Sequence, residues 1–147
     1  MTITISLQTI IDGVFANSAL AHRSADSLPL MLRRSHEPAL RRLAIDAMAL
    51  QALHLSSVIT DITLPSVTDP DSYTVTLDIA CSGDCSAELL ASTISAGVTQ
   101  RLLSLSYTDN DSDRSAGYAA LAVQSADLAV ALARAAPGIT PRIKPYF

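Results

Sequence analysis

Tryptophan is absent from this chain of 147 residues, and aromatic side chains make up only 4% of it. Large rigid anchors are therefore scarce. The 49% of the sequence that is hydrophobic is carried by aliphatic and small side chains, alanine above all, so helices built from it can approach closely. Charge is scarce too, at 16% against about 25% in an ordinary soluble domain. Nine of the ten basic residues are Arg, and twelve of the fourteen acidic residues are Asp. So little surface charge fits either a small, well-buried domain or a surface partly covered by other subunits.

The other absences exclude function classes. There are two cysteines, Cys81 and Cys85, with three residues between them. A disulfide framework uses more. His22, His36 and His54 show no paired ligand spacing that would complete a zinc site, so no metal and no cofactor is expected, and two reduced thiols fit a cytoplasmic origin. The five glycines stand apart at 13, 83, 97, 117 and 138, which excludes a phosphate-cradling loop. His36-Glu37 starts like a zinc-protease helix, but Leu40 stands where the second histidine belongs. No Gly-x-Ser-x-Gly elbow occurs, so no catalytic residue is assigned. His54 falls on an apolar stripe, where a core or interface histidine is a better reading than a general base. A formal net charge of −4 argues against a nucleic-acid partner. Ala119 to Ala136 is the most apolar stretch, but Gln124, Ser125, Asp127 and Arg134 interrupt it, so no membrane partner is expected. Without Lys or Arg before Arg23, and with Asp12 in the apolar region, a signal peptide is not expected either.

What is present reads as one α+β domain over residues 1–136, followed by an arm over 137–147. Leu7, Ile10, Ile11, Val14, Ser18 and Ala21 predict a first helix from Leu7 to His22, capped by Ser6. A second opens at Ser35-His36-Glu37-Pro38, its stripe Leu40, Leu43, Ala47, Leu50 and His54 widened by Ile45, Met48, Ala49 and Leu53. The period then drops to two: Tyr73, Val75, Leu77 and Ile79 alternate with polar residues, and Val58 to Leu64 is suited to pair with them in a hairpin. Asp84 is placed to cap a third helix with the stripe Leu90, Ile94, Val98, Leu102 and Leu105, in which Gly97 marks a close crossing. Asp113 is placed to cap a fourth, reaching Ala136, with Leu121, Ser125, Leu128 and Leu132 as its core stripe. Three prolines extend the arm. Its Ile139, Ile143, Tyr146 and Phe147 fit either the chain's own domain or a neighbour, the neighbour being preferred.

The charges are segregated. Arg23, Arg33, Arg34, Arg41 and Arg42 fall within twenty residues, whereas Asp61, Asp69, Asp71, Asp78, Asp84 and Glu88 follow with no basic residue among them. Asp109, Asp111 and Asp113 extend the acidic side, and Arg142 and Lys144 make the arm basic. Solvated faces with local pairs are one explanation. Complementary patches joining subunits head to tail into a ring are the other. The candidate interface residues are Arg33, Arg34, Arg41, Arg42, Asp61, Asp69, Asp71, Asp78, Arg142, Lys144, Tyr146 and Phe147.

The order helix, helix, acidic hairpin, helix, helix, basic Pro-rich terminus resembles small virion-morphogenesis proteins of tailed bacteriophages, in the neck, head–tail connector and tail-completion class. Leu40-Arg41-Arg42-Leu43, Ser72 to Leu77, Arg101-Leu102-Leu103-Ser104 and Pro141 to Phe147 carry the resemblance. It implies a non-enzymatic structural subunit that forms a homo-oligomeric ring or collar against neighbouring virion proteins. The implied location is the virion, after synthesis in the bacterial cytoplasm. A cytoplasmic adaptor that binds a protein partner through Arg-rich residues 23–42 is the alternative, and an enzyme using His36 or His54 the third reading.

Overall fold

The computed structural model describes residues 1–21, 32, 36–65, 73–81 and 85–134. It is an α+β fold whose elements run β1 (Thr2–Ser6), α1 (Leu7–Ala21), α2 (Glu37–His54), β2 (Ile59–Thr63), β3 (Thr74–Ile79), α3 (Ala87–Tyr107) and α4 (Ser112–Ala133). The β2–β3 hairpin sits between α2 and α3, as the alternation predicts. A third strand, β1, precedes the first helix, where no strand is expected. Thr2-Ile3-Thr4-Ile5-Ser6 alternates as cleanly as β3, Ile3 and Ile5 are buried, and the strand pairs antiparallel with β3 from Thr2↔Asp78 to Ser6↔Thr74. β3 is thus the central strand in the order β1-β3-β2, and a bulge between Ile59 and Asp61 shifts the register of β2.

Val75, Leu77 and Ile79 face the core with Ile3 and Ile5, and α1 and α3 both contact the sheet. α2 packs on α1 and α3. α4 packs along α3 and, over a smaller area, on α2, which makes it the outermost layer. Ser6 caps α1, its Oγ accepting from the Thr9 amide at 3.3 Å. The caps of the last two helices differ from those expected. Ser86, not Asp84, caps α3 by accepting from the Leu89 amide, and Asp111, not Asp113, caps α4 by accepting from the Arg114 amide. Ser86 and Asp111 both have the extended backbone of a helix cap.

Tyr73 joins the sheet to α2. Its hydroxyl donates to the Arg41 carbonyl, the Arg41 guanidinium lies 4.7 Å from the ring centre, and Arg41 Nη2 donates to Gln8 Oε1 at 2.8 Å. Burial pushes the Tyr73 phenol up to about 12, with the Arg41 charge opposing the shift. The unfolded chain therefore loses this proton first. Between pH 10 and 12, stability should fall with rising pH by about 1.4 kcal/mol per unit from this group. Urea midpoints measured across that range check this, and Tyr73→Phe should flatten the slope.

Candidate functional site

α4 carries two seams at coiled-coil spacing. Ala122, Ala126, Ala129 and Ala133 are its buried residues. Gly117, Leu121, Gln124, Leu128 and Ala131 are all exposed. This inverts the expected core stripe: Leu121 and Leu128 point to solvent at 43% and 54% exposure, Ser125 and Leu132 are half-buried, and the alanines face inward.

The cause of the inversion lies on α3. Gly97 has no side chain, so α4 comes close: a Cβ built at position 97 would stand 3.2 Å from Ser125 Cβ and 2.5 Å from Gln51 Nε2. Gln51, wholly buried on α2, reaches through this gap, and its Nε2 donates to the Ala122 carbonyl at 2.8 Å. Ser125 Oγ contacts Gln100 Oε1 at 2.8 Å. Lower down, the Ser104 hydroxyl donates to the Ser115 carbonyl and the Ser115 hydroxyl to the Ser104 carbonyl, each at 2.8 Å. At this separation leucine does not fit between the helices and alanine does.

The turn between α3 and α4 is tied down as well. Tyr107 and Tyr118 stack at 5.9 Å, and Arg114 lies 5.5 Å from the Tyr107 ring centre while pairing with Asp111 at 3.5 Å. Arg114, Gly117, Tyr118 and Leu121 line an open depression of about 440 Å³ on the outer side. Among the described residues, nothing approaches within 4 Å of where a Gly117 Cβ would be. The α4 face thus combines rigid backbone, projecting leucines and a recess. By length and composition alone α4 also suffices to cross a membrane, with a mean hydropathy of 1.4 over 18 residues. Only 22% of that window is buried, so α4 does not owe its apolarity to a central place in the core.

Of the residues singled out from the charge pattern, Arg41, Arg42, Asp61 and Asp78 fall among the described residues. Arg41 is half-buried and engaged with Gln8 and Tyr73, whereas Arg42 is exposed. Asp61 is exposed, directly opposite half-buried Asp78, whose Oδ1 accepts from Thr2. Arg33, Arg34, Asp69, Asp71, Arg142, Lys144, Tyr146 and Phe147 lie outside the described residues, as does the whole arm. On α2 the expected stripe is rotated: Leu40, Ala44, Ala47, Met48 and Gln51 are buried, while Leu50, Leu53 and His54 are exposed, so His54 is not a core histidine. Cys81 and Cys85 are free thiols, Cys81 Sγ lying 3.9 Å from Met1 Sδ. Burial pushes the Cys85 thiol up to about 11, aided by its hydrogen bond with Cys81, which leaves it a weak nucleophile. The chain matches no protein family, no curated protein and no solved structure.

Proposed function

We propose that this protein is a non-enzymatic structural subunit that works as an assembly of copies of itself. The outward seam of α4 is the observation that carries this reading. Leu121 and Leu128 stand two helical turns apart on a helix held firmly from behind, which suits them to enter a partner's surface without reordering the backbone. Each leucine withdrawn from water contributes about 1 kcal/mol for the half still exposed. The neck or tail of a tailed bacteriophage is the setting we propose, with a ring or collar as the assembly and neighbouring virion proteins as further partners. The order of the four helices about the β2–β3 hairpin and the sparing use of charge support it.

Sedimentation equilibrium of the full chain over a wide concentration range tests the reading. Self-association that grows with concentration is expected. Leu128→Glu should reduce the mass to that of the 15.5 kDa monomer with an unchanged circular-dichroism spectrum. A wild-type chain that stays monomeric throughout, or that partitions into neutral lipid vesicles through α4, would overturn it.

A further inference from the structure

The charges at the two ends of α4 select how two copies meet. The α3–α4 turn carries Asp109, Asp111 and Asp113, and the far end of α4 carries exposed Arg134. Asp111 is held by Arg114, while Asp109 and Asp113 stand exposed. Parallel helices would set Arg134 beside Arg134 and one acidic turn beside the other. Antiparallel helices instead set each Arg134 beside the other copy's Asp113 and let the helix dipoles oppose each other favourably.

The apolar seam is compatible with the same arrangement. With a two-fold axis near Gln124, Leu121 of each copy approaches Leu128 of the other, and open Gly117 lies near the other copy's Ala131. A polar residue such as Gln124, central on a seam, favours one register over slipped ones.

The chain beyond Arg134 then begins next to the other copy's turn. Thirteen residues follow, from Ala135 to Phe147, with Arg142 and Lys144 among Ile139, Ile143, Tyr146 and Phe147. Thirteen residues can reach at most roughly 45 Å, ample to cover the turn and the depression next to it. The chemistry matches: carboxylates of Asp109 and Asp113 for the basic residues, and a recess lined by Gly117, Tyr118, Leu121 and the Asp111-paired Arg114 for the apolar ones.

We propose that α4 pairs antiparallel with α4 of a second copy, and that residues 135–147 of each copy lie on the other's α3–α4 turn. This rests on the self-assembly reading and adds its geometry. An isologous contact of this kind closes pairs, so a ring would grow from dimers.

The test uses full-length chains with both native cysteines replaced by serine. Chains carrying Gly117→Cys and chains carrying Ala131→Cys are mixed and treated with a short bis-maleimide. A cross-linked heterodimer is expected from the mixture, with little product from either chain alone. Self-cross-linking of Gly117→Cys would mean parallel helices and overturn the proposal while leaving self-assembly intact. For the terminal segment, Asp109→Lys with Asp113→Lys should weaken association at least tenfold, as should Arg142→Glu with Lys144→Glu. Mixing the two charge-reversed chains should restore heterodimer formation. Association unchanged by either reversal, or no rescue on mixing, would overturn the placement of the segment. A cysteine-free chain that remains monomeric at every concentration would instead count against self-assembly itself.

Discussion

Replacing Ala129 by leucine should destabilise the fold by about 3 kcal/mol or more, whereas replacing Leu128, its neighbour in sequence, by alanine should change monomer stability by less than about 0.5 kcal/mol. Ala129 is fully buried on the face of α4 that meets α3, while Leu128 is more than half exposed. Three extra carbons at position 129 have nowhere to go: at the same interface Gly97 already leaves only 3.2 Å between a hypothetical Cβ and Ser125. The helices would have to separate, which would break the Gln51–Ala122 hydrogen bond and the paired Ser104–Ser115 contacts. The reverse sizes of effect are what hydrophobicity alone would suggest, so the pair is a direct check on which face is buried. Urea unfolding of dilute samples, below the concentration at which copies associate, gives both numbers.

Gly97→Ala is the second large effect. In an exposed helix this change stabilises by about 1 kcal/mol. Here the new methyl would lie 2.5 Å from Gln51 Nε2 and 3.3 Å from Gln51 Cδ. The amide end of a glutamine ordinarily swings aside at little cost. Gln51 is wholly buried and its Nε2 is bonded to Ala122, so moving it leaves buried amide donors unsatisfied. A net loss of about 2 kcal/mol is expected. Gln51→Ala alone opens a cavity and should cost a similar amount. Together the two should be less damaging than their sum by more than about 1 kcal/mol, because the alanine methyl then fills space the glutamine has vacated. Additivity in that cycle would mean that Gln51 does not occupy the gap over Gly97.

These two experiments bear on what the sequence reveals and what it conceals. β3 was legible because its alternating apolar positions, Tyr73, Val75, Leu77 and Ile79, match a half-buried strand with nothing competing. α3 was legible for a related reason: its stripe is wide, and Gly97 announces a close crossing. β1 was obscured by its brevity and by running without a loop into α1, so its period of two gives way at once to 3.6. Hydrophobicity alone gives the wrong face of α4, because it ranks leucine above alanine and so points the leucines inward. Helix separation, not residue apolarity, decides the matter here, and that separation is set by Gly97 and Gln51 on two other helices. Leu121 and Leu128 of the candidate contact surface are therefore visible in the sequence, but apolarity alone assigns them to the wrong side. The charge pattern says less about contacts outside the subunit than about those inside it at Arg41, which is engaged with Gln8 and Tyr73 of its own chain. Of the acidic residues in that pattern, Asp78 is bonded to Thr2.

The place of β1 in the sheet has a consequence for how the chain reaches this state. Thr2 and Asp78 are partners across 76 residues, and the Met1 ammonium donates to the carbonyl of Ile79. β1 thus leaves the ribosome well before its partner β3, by several seconds at about 5–20 residues per second. Until then Thr2 to Ser6 presents an unpaired alternating edge, and closing the sheet around β3 carries the entropy of a long loop. Until β3 arrives, an unpaired alternating edge of this kind is a template on which another chain can pair.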